Sequence, residues 1–144
     1  MQKPDNQPNS VITSAAEKAR SKAEDYLKDP EKSKQLLDEA IRKAKKQEKN
    51  PGPLAEIWLS VKALIRMMKA YFHHDYVNIS WFTIATVVGA VIYFVLPFDL
   101  ISDLIPFAGY IDDAAVIGFM STQIKTDLNK FQIWEEEQTK IINL

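Results

Sequence analysis

The sequence predicts an all-α protein: a helical hairpin or bundle with one apolar membrane-type helix, a broken segment rich in proline and aspartate, and an amphipathic N-terminal helical extension. Three observations predict it. The composition is dominated by Ala, Leu, Ile, Lys, Glu and Gln, with 4 glycines in 144 residues, and these are helix-forming residues. Apolar residues recur with a helical period from Val11 to Ala44. Finally, the 22 residues from Val77 to Phe98 carry no formal charge.

Composition and charge exclude several function classes. With 47% hydrophobic residues the chain is too apolar for wholesale disorder. A net charge of −1 gives no global basic field for nucleic acid. Zero cysteines exclude a disulfide scaffold, a thiol nucleophile and a cysteine-ligated zinc site. So few glycines leave no Gly-rich phosphate loop. The two histidines are adjacent, which leaves little room for a His-based triad. The signatures G-x-S-x-G, H-E-x-x-H and the Walker loop are absent. No catalytic residue, enzymatic activity or cofactor is therefore expected.

Charge is unevenly divided. Residues 1–76 hold 15 Lys and Arg against 11 Asp and Glu, and residues 77–144 hold 3 against 8. Residues 1–10 contain two prolines, two asparagines and two glutamines and read as a disordered tail. They lack a secretory signal, so the N-terminal region is expected to face the cytoplasm. Residues 11–52 read as a polar helical extension and 53–144 as a membrane-associated helical domain.

The first helical stripe is Ile12, Ala15, Ala16, Ala19, Ala23, Tyr26 and Leu27. Asp29-Pro30-Glu31 starts a second helix with a capping acid, proline at the first helical position and an acid in the first turn. Its stripe is Leu36, Leu37, Ala40, Ile41 and Ala44. Lys43, Lys45, Lys46 and Lys49 suit its C-terminus, and Asn50-Pro51-Gly52-Pro53 stops it. A third, mostly apolar helix runs from about Leu54 to Phe72. At about 100° per residue, its Lys62, Arg66 and Lys69 form a narrow basic stripe. That pattern fits a buried bundle helix or a helix lying at an anionic membrane surface. His73-His74-Asp75 then reads as a solvated interfacial turn.

The uncharged run suggests a membrane span. From Ile79 to Leu96 there are 18 residues, which as a helix rise about 27 Å, close to the roughly 30 Å of bilayer hydrocarbon. Trp81 and Phe82 mark one end, and Tyr93, Phe94 and Phe98 the other, as at two membrane interfaces. Thr83 and Thr86 can bond back to their own helix. The alternative is a fully buried central helix in a bundle. Insertion is the favoured reading, because the alanine stripes of the first two helices look too narrow to cover such a helix.

Next comes an echo, Asp99-Leu100-Ile101 and Asp103-Leu104-Ile105, bracketed by Pro97 and Pro106. Pro97 opens a short turn and Pro106 ends it. Gly109 permits a bend, and Asp112 or Asp113 caps a return helix from Ala114 to about Trp134. Asp99, Asp103, Asp112 and Asp113 are thus four carboxylates within fifteen residues. Oxygen-only clusters suit Mg²⁺, Mn²⁺ or Ca²⁺. Helix capping and dipole compensation explain the same residues without a metal, and a proton site or a partner-docking role are further readings.

These residues resemble the DUF1232, or YkvA-like, family of small proteins of unknown function. The resemblance rests on Tyr93, Pro97, Asp99, Leu100, Ile101, Asp103, Ile105, Pro106, Gly109, Asp112 and Asp113 and covers about residues 64–124. Ser102 stands where the family has a proline, which frees a backbone N–H. The resemblance implies a helical, membrane-associated bacterial protein with no assigned activity or cofactor. Its expected partners are membrane lipid and, beyond that, another membrane protein or a second copy of itself, but not nucleic acid. The expectation is a non-enzymatic anchor or regulator of a membrane complex. The alternatives are an ion- or proton-handling membrane protein and a soluble helical adaptor.

Overall fold

A computed structural model describes residues 8–96 and 113–142. They form α1 (Pro8–Leu27), α2 (Pro30–Gln47), a 3-10 turn (Gly52–Ile57), α3 (Trp58–Phe72), α4 (Trp81–Val95), α5 (Asp113–Gln123) and α6 (Lys125–Ile142). Among the described residues there is no strand, so the chain is all-α. The helices pack around α4, which touches α1, α2, α3 and α5.

Several boundaries follow from local chemistry. Asp29 caps α2 as expected: its Oδ1 accepts from the Lys32 N–H at 3.2 Å. Gly52 takes φ +63°, a left-handed conformation in which an L side chain is strained, and the chain turns there into the 3-10 segment. That segment occupies the start expected for the third helix, so α3 proper begins at Trp58. The return helix is likewise two helices, divided at Ile124. Just before the break, Ser121 donates to the Ile117 carbonyl and Thr122 to the Gly118 carbonyl, each at 2.9 Å. Such back-bonding weakens and bends a helix. At the other end of the chain α1 begins at Pro8, inside the stretch read as a tail.

The expected membrane span is corrected by the structure. The Ser80 hydroxyl accepts from the Thr83 N–H at 3.2 Å and starts α4, which closes at Leu96. Its fifteen residues rise about 22 Å, short of the roughly 30 Å of hydrocarbon. Among the described residues no helix is long and apolar enough to cross a membrane. The helix is apolar all round because protein surrounds it: Thr83 through Phe94 are buried.

The alanine stripe of α1 does the covering that its narrowness had seemed to forbid. Ala15, Ala16, Ala19 and Ala23 are fully buried, and α1 has its most extensive contact with α4. Small side chains let the two backbones approach. A Cβ built on Gly89 would lie 2.9 Å from both the carbonyl carbon and the oxygen of Ala19. Coverage comes from proximity rather than from bulk. Each alanine methyl contributes only ~0.8 kcal/mol of burial, against ~1.5–3 for a leucine or phenylalanine. The α2 residues Leu36, Leu37 and Ala40 add larger groups to the same core.

Candidate functional site

The described part of the motif sits at the C-terminal end of α4. Tyr93 is fully buried, and Asp113 opens α5. Between them reaches Lys43, from the last turns of α2. Its ammonium donates to the Phe94 carbonyl at 2.6 Å and lies 4.8 Å above the Phe94 ring. Burial lowers the Lys43 pKa, and the negative charge of Asp113 opposes that shift. A cation beside the last carbonyls of a helix also suits its dipole. Lys43 therefore fixes the end of α4 and sets a positive charge near the motif aspartate. It follows Leu36 by seven residues and Ala40 by three, so helical periodicity already placed it on the buried stripe of α2. Sequence reasoning read it only as a helix-terminal lysine.

The other motif residues, Pro97, Asp99, Leu100, Ile101, Asp103, Ile105, Pro106, Gly109 and Asp112, lie outside the described residues. So does Phe98. Among the described residues, no group of three His, Asp or Glu side chains is placed to hold a metal ion.

The basic stripe on α3 is divided among different partners. Lys62 Nζ is 3.0 Å from Glu48 Oε2. That hydrogen bond, with a second from the Trp58 indole, holds the Glu48 carboxyl below its usual range. Arg66 makes a two-pronged contact with Glu135, Nε to Oε2 at 2.7 Å and one terminal nitrogen to Oε1 at 3.2 Å. Lys69 is exposed. Thus two of the three cations face carboxylates of this chain.

The opposite end of α4 is apolar and open. Val77, Trp81 and Phe82 are 54%, 53% and 47% exposed. The Arg20 guanidinium of α1 lies 4.8 Å over the Phe82 ring, and one of its terminal nitrogens donates to the Gln123 side chain at 2.8 Å. The aromatic pair read as one membrane interface is therefore at the surface, whereas Tyr93 and Phe94 at the other end are buried. His73, His74 and Asp75 form an exposed turn leading into this corner, with His74 at φ +63°. Alongside lies a cleft of about 250 Å³ lined by Met67, Tyr76, Asn78, Ser80, Asp127 and Lys130. Asp127 of that lining accepts from the Thr83 hydroxyl, a tie between α4 and α6. Burial and the Asp127 charge both raise the Tyr76 pKa.

Comparison with known proteins places these features in a family. The family model described as "Protein of unknown function (DUF1232)" matches residues 83–119, from the first turn of α4 into α5. The "Uncharacterized membrane protein YkvA" of Bacillus subtilis (strain 168) is 34% identical over 74 residues, which are 51% of this chain and 70% of that protein. No solved structure matches the chain. The likeness to most of YkvA, and the family match running from buried α4 through the motif to Asp113, show that the chain belongs to the DUF1232 family.

Proposed function

We propose that this protein is a non-enzymatic, membrane-associated helical protein that docks on the lipid surface through the corner where α3 meets α4. The carrying observation is the cluster of Val77, Trp81 and Phe82, three large apolar side chains within six residues, each about half exposed. The other large exposed apolar residues among those described, Leu59 on α3 and Ile133 and Ile141 on α6, are not grouped in sequence in this way. Single exposed apolar residues are ordinary on a protein surface, whereas a group of them marks an interaction site. Tryptophan beside an arginine is the side-chain chemistry of the membrane interface, and Arg20 lies against Phe82. The name of the relative as a membrane protein supports the same reading.

Docking by a corner replaces spanning by α4. In this arrangement α2 and α6 stay on the aqueous side, available to a membrane complex that the protein anchors or regulates. The test is flotation of the full chain with vesicles of phosphatidylcholine alone or mixed with phosphatidylglycerol. The chain is expected to float with vesicles, more strongly with the anionic mixture, and a Trp81→Ser/Phe82→Ser double variant is expected to stay at the bottom. Equal flotation of the double variant, or none of the parent chain, would refute the reading.

A further inference from the structure

We infer that α1 and α2 form a removable cover over α4, and that lipid takes the place of α1 when the protein is on a membrane. This deepens the membrane reading above and rests on it. The two surfaces in contact are both apolar but differ in side-chain size. The α4 segment is uncharged from Trp81 to Val95 and apolar on every face. The helix in most extensive contact with it, α1, meets it through buried alanines, while Glu17, Glu24 and Asp25 lie on the exposed side of α1. The interface is extensive and close, and its buried α1 side chains are small, with the larger Ile12, Tyr26 and Leu27 only partly buried. Two polar latches supplement it: Arg20 to Gln123 and over Phe82, and Lys43 to the Phe94 carbonyl. Both hold the cover to the two ends of α4.

The connectivity permits movement as a unit. A single connection, residues 48–51, ties α1 and α2 to the described helices that follow. It ends at Gly52, already in the left-handed region. Glu48, bonded to Lys62 and Trp58, fixes the near side of that connection to α3. Hinges are a few element-terminal residues that absorb a backbone change. One end of α4 is also the exposed Trp81–Phe82 corner, and Arg20 lies on it. Lipid at that corner competes with the Arg20 latch directly. A ligand shifts a conformational equilibrium only by binding one state better. Lipid meets that condition here, because the uncovered state offers it the whole apolar side of α4 and the covered state offers only the corner.

The chain has no cysteine, so one introduced thiol is a clean reporter. Ala23→Cys places it on the fully buried face of α1, and Ala16→Cys serves as a second position. Each variant is mixed with phosphatidylglycerol–phosphatidylcholine vesicles or with buffer and treated with a membrane-impermeant maleimide. Hydrogen exchange of residues 11–27 is followed on the unmodified chain, in case a variant does not fold. The expected result is labelling at least about tenfold faster with vesicles, as for a shift of the covered population, together with faster exchange across α1. Flotation with unchanged labelling and unchanged α1 exchange would leave corner docking intact and refute the cover. Failure to float at all would overturn both.

Discussion

Gly89 of α4 lies against the backbone of Ala19 of α1, so closely that a single added methyl would sit 2.9 Å from the Ala19 carbonyl group. Two effects of Gly89→Ala therefore oppose each other. Alanine improves helix propensity by about 1 kcal/mol, whereas overpacking a core costs about 1–3 kcal/mol. The obstacle is backbone rather than the end of a flexible side chain, so overpacking wins. Gly89→Ala is expected to lower the thermal midpoint, read by circular dichroism. Gly118, whose added Cβ would meet only a side-chain methyl of Ile57 at 3.5 Å, is the control: Gly118→Ala is expected to hold or raise the midpoint.

Lys43→Met keeps the buried stem of the side chain and removes its ammonium. The Phe94 carbonyl loses its donor and Asp113 loses a neighbouring cation. A hydrogen bond from a charged group contributes about 1.5–3 kcal/mol, and partial exposure puts this one at the lower end. Lys45→Met on the exposed face of α2 is expected to change stability by less than about 0.5 kcal/mol. Denaturant unfolding of the two variants checks the difference.

The Arg66–Glu135 pair joins α3 to α6 at the surface, with side chains 47% and 28% exposed. Exposed pairs contribute about 0.2–1 kcal/mol and weaken as salt screens them. A double-mutant cycle with Arg66→Ala and Glu135→Ala is expected to give a coupling in that range at low salt and a smaller one at 1 M salt.

Alkaline stability should report Tyr76. Its folded pKa lies above the ordinary tyrosine value, so above about pH 10 the unfolded chain releases the phenolic proton while the folded chain keeps it. The folded state then holds more protons than the unfolded one, and stability falls as pH rises through that window. Tyr76→Phe removes this contribution. The variant is expected to lose less of its thermal midpoint than the parent chain between pH 9 and pH 11.

Deleting residues 1–50 removes α1 and α2 together. Their buried alanines and leucines form one core with α4, so the remaining chain would bare an apolar helix. It is expected to aggregate in buffer and to be recovered helical only with detergent, as judged by size-exclusion chromatography and circular dichroism.

Local chemistry was legible in the sequence and three-dimensional coverage was not. Asp29-Pro30-Glu31 marked the start of α2, and Asn50–Pro53 marked its end. The buried stripes Ala15, Ala16, Ala19, Ala23 and Leu36, Leu37, Ala40 were read from their period. The environment of α4 was misread for a physical reason. Stripe width measures how much side chain a helix presents, but alanine covers its neighbour by letting backbones approach, and sequence spacing does not reveal distance. Lys43 was hidden in a run of lysines that all suit a helix end, and only Phe94 and Asp113 distinguish it. The division at Ile124 needed the combined back-bonding of Ser121 and Thr122, each unremarkable alone.

The hydroxyl groups along the core helices have a consequence for solvent. Thr86 donates to the Phe82 carbonyl at 2.7 Å and Ser121 to the Ile117 carbonyl at 2.9 Å, so each is satisfied within its own helix. A side chain bonded in this way needs neither water nor a neighbouring helix to complete it. Thr86 would carry its partner along if α4 passed from a protein interior into oil, and its polar atom would set no toll on the exchange. Thr83, whose hydroxyl donates to Asp127 of α6, lacks that independence, so the first turn of α4 stays tied to protein where Thr86 does not.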